Sequence, residues 1–304
     1  MPIGKRVVRR VDNAKPLTWS QSTLEQHVVS STPCPTSLPS EHPITLVCVS
    51  DTHNTEPEVP AGDVLLHSGD LTYYGKFDEL QKQLDWIASL PHTHKVVIGG
   101  NHDLVLDEAC DEMDEMLAEK QPASELRAKL NWHDIIYLEK SSVTLDFPSG
   151  RSLKIYGSPY TPEHGRGSFQ YDPAEDVWSN TIPEGTEVLM THGPPKGYHD
   201  AAVGGHAGCP HLLREIWRVK PRLVLFGHIH SARGMSAINY NEPTRTRDRA
   251  RMGEHPSVGE TLHAVAASKL GGHKAPDALI VNASTMGPGR PWYDPKDRYT
   301  VLQI

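Results

Sequence analysis

The 304-residue chain holds four cysteines, Cys34, Cys48, Cys110 and Cys209, and no two of them form a C-x-x-C pair. That spacing excludes a disulfide framework and a thiolate zinc site as organising features. No apolar run approaches the ~18 residues that would cross a bilayer, so no membrane partner is expected. The positively charged start, Met1 to Arg10, is not followed by an apolar segment, so no secretory signal is expected and a soluble, cytoplasmic protein is the expectation. Basic residues are the minority: 30 Lys and Arg against 38 Asp and Glu leave a charge of −8, which argues against a nucleic-acid binder. Aromatics are sparse at 7%, yet 37% hydrophobic residues suffice for one large α/β domain or two small ones. What the chain has in excess is histidine, 18 residues, many beside Gly or Asp. Imidazole is a common metal ligand and acid–base group.

The histidines gather where apolar runs stop. Val96-Val97-Ile98-Gly99-Gly100-Asn101-His102-Asp103 begins as a buried strand, breaks at two glycines and delivers Asn, His and Asp together. Ile44 to Ser50 is another such run and ends in Asp51-Thr52-His53. Asp63 to Ser68 ends in Gly69-Asp70, Glu187 to Thr191 in His192-Gly193-Pro194, and Arg222 to Phe226 in Gly227-His228-Ile229-His230. Strands that end in Gly and then polar side chains are how α/β sheets present chemistry at their carboxyl ends. If extended geometry continues, Asp51 and His53 face one side, and so do His228 and His230.

Between these runs, Leu71 to Leu90 has apolar residues at helical spacing, and Asp107 to Leu130 reads as a helix broken near Pro122, its acidic run a solvated face. Strand, strand, helix, strand over the first 103 residues is the start of a mostly parallel sheet. Ile135–Leu138, Ser142–Phe147 and Leu153–Tyr156 read as strands, with a hairpin turn at 148–150. Residues 1–40, basic and then rich in Ser, Thr and Pro, read as an N-terminal extension. Residues 41–304 form the main domain, interrupted at 231–276 by an insertion with a basic run, Arg245 to Arg251, and a weak helix, His263 to Leu270; it suits a lid or an exposed loop. Ala278–Asn282 and Tyr299–Ile304 close the domain as strands.

The strand ends together supply Asp51, His53, Asp70, Asn101, His192, His228 and His230. One metal does not need so many donors; two do, if a carboxylate bridges them, and Asp70 behind Gly69 is the natural bridge. Two metals about 3.5–4 Å apart clamp an in-line phosphoryl displacement and yield hydroxide near neutral pH. His102 is left over as a ligand, which suits it to protonate the leaving oxygen, with Asp103 holding its orientation.

Asp51-x-His53, Gly69-Asp70, Gly100-Asn101-His102-Asp103, Thr191-His192 and Gly227-His228-Ile229-His230 resemble, in order and spacing, the calcineurin-like metallophosphoesterases. Leu65 to Asp70, Gly157-Ser158-Pro159-Tyr160 and Thr191 to Pro195 look like its MPPED (metallophosphoesterase domain-containing protein) subgroup, which is related to class III cyclic nucleotide phosphodiesterases. The resemblance runs from about Ile44 to His230 and again near Val281-Asn282-Ala283. It implies an α/β fold of four layers, α/β/β/α, two mixed sheets flanked by helices. It implies one metal on Asp51, His53, Asp70 and His230 and a second on Asp70, Asn101, His192 and His228. Mixed N and O donors suit Mn, Fe or Zn as the two divalent ions. The implied reaction is hydrolysis of a small phosphodiester, cyclic nucleotides among the candidates, by a hydroxide bridging the metals, with His102 as general acid or transition-state stabiliser. The 231–276 segment is long for the subgroup, and Asp103 stands where the nearest relatives carry Glu. The alternatives are a metal-dependent hydrolase or lyase with a non-phosphate substrate, and a weakly active nucleotide-binding scaffold. His67, His199, His206 and His211 are read as structural.

Overall fold

Alternation along Thr45–Val49 sends successive side chains to two different cores. Leu46 and Cys48 face one, Val47 and Val49 the other, and all four are fully buried. A strand buried on both faces must lie inside a layered stack. The computed structural model describes residues 34–109, 121–270, 275–285 and 298–304. The extension up to residue 33, Cys110 and residues 110–120 of the acidic segment lie outside the described residues.

In chain order the elements are β1 (Thr45–Val49), β2 (Val64–Ser68), α1 (Phe77–Ser89), β3 (His94–Ile98), α2 (Ala123–Arg127), β4 (Ile135–Tyr137), β5 (Ser141–Asp146), β6 (Ser152–Ser158), β7 (Thr161–Pro162) and β8 (Gln170–Tyr171). They continue with β9 (Val188–Thr191), β10 (Ala201–Ala202), β11 (Gly205–His206), α3 (Pro210–Val219), β12 (Leu223–Phe226), β13 (Gly234–Ile238), α4 (Glu242–Arg251), α5 (Val258–Leu270), β14 (Ala278–Asn282) and β15 (Thr300–Gln303). Two mixed sheets result. The first has the order β15-β1-β2-β3-β4, the second β13-β14-β12-β9-β6-β5. Strands β1 to β4 run parallel, as do β6, β9, β12 and β14, while β15, β13 and β5 are antiparallel edges.

The four expected layers are present. The sheets meet through Leu46, Cys48, Leu66, Val96 and Ile98 on one side and Ile155, Val188, Met190, Leu223, Leu225 and Val281 on the other. Leu80, Leu84 and Ile87 of α1 cover the outer face of the first sheet over Val47, Leu65 and Val97. Leu212, Leu213 and Ile216 of α3 cover the second over Leu189, Val224 and Ile280. Each such side chain, fully buried, contributes about 1.5–3 kcal/mol of transfer free energy.

Three local readings change. The helix expected over Leu71–Leu90 begins only at Phe77. Residues 71–75 cannot enter it because the N–H groups of Leu71 and Thr72 donate to Asp103, at 3.2 and 2.9 Å, and Gly75 sits at φ +73°. Residues 34–40 run along the edge of the first sheet: Leu38 is buried and its N–H donates to the Gln303 carbonyl at 2.8 Å. The stretch 231–276 is only in part an addition to the sheet's edge. Its residues Gly234–Ile238 are the edge strand β13, paired with β14. The arginine run is the helix α4, anchored by Asp248, whose buried carboxylate accepts Tyr198 Oη, Trp217 Nε1, Arg247 Nε and Arg251 Nη1 at 2.8–3.1 Å. No helix among the described residues is long and apolar enough to cross a membrane.

Candidate metal centre

The parallel strands of both sheets end on one side of the sandwich, and the polar tails of β1, β2, β3, β9 and β12 meet there. They do not meet as continued strands. Asp51 and His53 take φ of +56° and +42°, Asp70 +54° and His228 +66°. The extended geometry expected for Asp51 and His53, and for His228 and His230, is therefore absent; left-handed turns bring the side chains together instead. Such conformations cost about 1–3 kcal/mol each for non-glycine residues and persist where surrounding structure over-determines them. Here the N–H groups of Asp51 and His53 donate to the carbonyls of Gly69 and Asp70, at 2.9 and 3.1 Å, which clamps the first two turns together.

Donor atoms of Asp51, His53, Asp70 and His230 lie within 4.8 Å of one another, as do those of Asp70, His192 and His228. Asp70 belongs to both groups. Asn101 joins the second: its Oδ1 is 3.0 Å from His192 Nε2 and 2.8 Å from His228 Nδ1. All seven sequence-derived donors thus converge.

The orientation of the donors fits divalent cations. His53 Nδ1 donates to the Thr72 carbonyl and His192 Nδ1 to the Ser68 carbonyl, both at 2.9 Å. Each hydrogen bond fixes the tautomer that leaves Nε2 as a lone-pair donor, and both Nε2 atoms turn toward Asp70. His53 Nε2 and His230 Nε2 approach to 3.2 Å, a close pairing of two basic nitrogens that a shared cation satisfies. Burial alone would raise the Asp70 carboxyl, but His192 and His53 hold it well below the usual carboxylate range. Asp51 is likewise lowered, by His230 against the opposing effect of burial. Both are therefore ionised at neutral pH. Burial opposes charge on His192, yet Asp70 lifts it to about 9, so a cation bound at Nε2 would displace a proton from that nitrogen, whereas burial and its neighbour His192 push His228 down to about 3.

Two glycines keep the donors close. A Cβ on Gly227 would overlap the Asp51 carboxylate and the Ser50 hydroxyl, and one on Gly100 would overlap the carboxylate and N–H of Asp70. Gly227→Ala is therefore expected to weaken metal binding by about tenfold or more. Competition with a fluorescent chelator measures this, and an unchanged affinity would show that Asp51 yields freely.

His102 stands beside the donors rather than among them. Its Nδ1 donates to the Tyr73 carbonyl at 2.7 Å, and its ring lies edge-on to His53 with centroids 4.7 Å apart. That leaves Nε2 for a substrate atom. Asp103 does not orient this imidazole. Its fully buried carboxylate is consumed by the N–H groups of Gly100, Leu71 and Thr72 and by the Thr72 hydroxyl, at 2.7–3.2 Å. A carboxylate one residue from His102 is directed inward because buried N–H groups need an acceptor. Asp103 is a positioning residue for the loops that carry Asp70 and Asn101.

The other histidines stay out of the centre. His67 is buried with Nε2 3.0 Å from Thr52 Oγ1, and burial pushes it down to about 3. His199 pairs with Ser236, His206 with Asp200 and His211 with Asp176. The sequence reading missed Thr72 and Tyr73, whose carbonyls aim two imidazoles, and Thr285, whose hydroxyl donates to the Asp51 carbonyl at 2.7 Å. It placed Thr72 and Tyr73 inside a helix. His164, on the loop after Thr161–Pro162, brings its ring to 6.2 Å from that of His228.

The model of the calcineurin-like phosphoesterase family matches residues 44–232, which include every one of these donors. The chain belongs to the calcineurin-like phosphoesterases. It is 38% identical over 229 residues to metallophosphoesterase domain-containing protein 1 of Homo sapiens, a match that covers 69% of this chain and 68% of that protein. The Mus musculus protein of the same name matches equally. This phosphoesterase is also 44% identical over 197 residues to a protein of Emericella nidulans named probable rhamnogalacturonate lyase C; the match covers 64% of this chain. The chain spans only 18% of that relative's length. As a member of this family the chain is a metal-dependent phosphoester hydrolase in type, and Asp51, His53, Asp70 and His230 are candidate ligands for a divalent metal.

Proposed function

We propose that the protein hydrolyses small phosphodiesters, cyclic nucleotides among them, at a centre of two divalent cations. The observation that carries this reading is the sharing of Asp70 between two donor groups with the free face of His102 beside them. Bound there, the cations would supply a water activated near neutral pH and neutralise the charge that builds on the phosphoryl oxygens. Asp51, His53, Asp70 and His230 would hold one of them; Asp70, Asn101, His192 and His228 would hold the other. Mn, Fe and Zn suit these mixed N and O donors.

The chain's own groups do the rest. His102 Nε2 presents a proton to the oxygen that leaves, while the Tyr73 carbonyl keeps Nδ1 protonated and the ring fixed. Tyr73 and Tyr74 are half-exposed at the mouth of the site, stacked edge-on at 4.8 Å, a wall against which a flat leaving group lies. A small molecule, not nucleic acid, is the partner that the charge of −8 favours. The lyase activity in the Emericella nidulans name is not carried over, since the likeness covers so little of that protein.

The test is elemental analysis alongside hydrolysis of bis-aryl and mono-aryl phosphates with added Mn²⁺. About two metals per chain and faster diester turnover are expected. In His102→Ala, turnover of an alkyl diester should fall by roughly 10²–10³, and that of a good aryl leaving group by much less. Two metals without phosphoester turnover would overturn the proposal.

A further inference from the structure

We propose a second ligand site, for a nucleoside di- or triphosphate, in a cavity between α3 and α4 at the opposite end of the second sheet from the metal donors. The cavity has a volume of about 430 Å³ and is lined by five Arg and Lys side chains against two Glu. Its position follows from the strand register. β13 leaves the donor end at Gly234, opposite Asn282, and finishes at Ile238, opposite Ala278, where β14 begins. Tyr240 and α4 therefore start at the far end, as does Lys220, which precedes β12. That is a strand's length, roughly 15 Å, from the metal donors. None of the lining residues is a metal donor.

The cations are not all spent on the protein. Arg218 is taken by Glu215 and the Ile182 carbonyl, and Arg249 by Glu254 and Glu260. Among the described residues, neither Arg214 nor Lys220 has a carboxylate within ion-pair distance, and Arg245 has only Glu242, at 3.5 Å, with both side chains more than half exposed. Arg214 Nη1 meets only the His211 ring nitrogen, at 3.0 Å, so in a chain of charge −8 these three exposed and loosely held cations make the cavity a local anion trap. The cavity also has aromatic rings in its lining, Trp217 and Tyr240. They meet edge to face at 5.4 Å, with Trp217 Nε1 bonded to Asp248 at 3.0 Å and Tyr240 Oη to the Pro221 carbonyl at 2.8 Å. Their polar atoms are satisfied by the protein, so what they offer a ligand is ring surface held in place. Aromatic rings lining a cavity with several cations match a base joined to more than one phosphate. Its volume falls in the range of small-molecule sites, ~300–1,000 Å³. α4, which supplies Arg245, belongs to the segment that the catalytic reading leaves unused.

The probe is α,β-methylene-ADP, titrated into the manganese-loaded protein by calorimetry at low salt. Wild type, Lys220→Glu/Arg245→Glu and Asp70→Asn are compared, with inorganic pyrophosphate as a second ligand. The exposed charge reversals are expected to weaken binding of the analogue by about tenfold or more and to leave kcat and KM for an aryl phosphodiester unchanged. Asp70→Asn should bind the analogue at this site as wild type does. Equal affinity in the charge-reversal variant, or binding lost in Asp70→Asn alone, would assign the ligand to the metal centre and overturn the proposal. Pyrophosphate binding as tightly as the analogue would overturn the nucleotide assignment, because the aromatic rings would then contribute nothing.

Discussion

Asp70→Asn is expected to lower phosphodiester turnover by about 10³-fold or more, equivalent to roughly 4 kcal/mol of transition-state stabilisation. Bound metal should fall to one ion per chain at most. The size of the effect follows from topology. Asp70 is the only residue common to both donor groups, so losing its charge weakens both at once. Asn is the informative substitution because it keeps the shape. Asp70 sits at φ +54°, which Asn tolerates better than Ala, and its Oδ1 accepts the His102 N–H at 2.8 Å, a bond an amide oxygen also makes. The backbone of the site should survive, and circular dichroism with thermal melting checks that it does. What disappears is one negative charge facing His53 and His192. Elemental analysis and steady-state kinetics on the same preparation decide the matter. Two metals and turnover within tenfold of wild type would mean that Asp70 is not the bridge.

The apolar runs made the strands legible, because a parallel strand buried on both faces has a near-continuous hydrophobic sequence. They also made the site legible, since each run stops at the residue where chemistry begins. The route by which the side chains converge was not legible. Period-two alternation governs extended chain, and Asp51, His53, Asp70 and His228 have all left it for left-handed φ. Nothing in a single sequence announces that a non-glycine residue will be held there, because the constraint comes from carbonyls on a neighbouring strand end. The helix start failed for the same reason. Leu71 and Thr72 have side chains that suit a helix, but their N–H groups are claimed by Asp103, some thirty residues further along the chain. The arginine run from 245 to 251 reads as part of a lid or an exposed loop until Asp248 is seen at its centre, buried and accepting two of those guanidinium groups. Alternate arginines on a helix point in different directions, so only tertiary packing separates those bound to Asp248 from those facing the α3–α4 cavity.

Asp103→Ala is expected to destabilise the protein by about 3–9 kcal/mol, because three buried backbone N–H groups lose their acceptor at about 1–3 kcal/mol each. At about 2–4 °C per kcal/mol, the melting temperature should fall by about six degrees or more. Metal affinity, measured well below that transition, should weaken by about 10–100-fold. The carboxylate joins the Gly100 N–H to those of Leu71 and Thr72, and so ties the turn that carries Asn101 to the turn that carries Asp70 and the Thr72 carbonyl aimed at His53. Losing the tie loosens donors of both groups together. Asp103→Asn gives the finer comparison. One amide oxygen can still accept from two of these N–H groups, while the NH₂ faces a donor it cannot satisfy, so an intermediate loss of stability is expected. The contrast with His102→Ala separates positioning from proton delivery. That variant should keep the melting temperature and metal content of wild type and lose rate chiefly on substrates with poor leaving groups. If Asp103 acted by orienting the His102 imidazole, its removal would reproduce the leaving-group dependence of His102→Ala with stability intact. Its carboxylate oxygens are instead occupied by backbone N–H groups and the Thr72 hydroxyl, and the Tyr73 carbonyl already holds His102 Nδ1, so the two variants should diverge in melting temperature, metal affinity and substrate dependence alike.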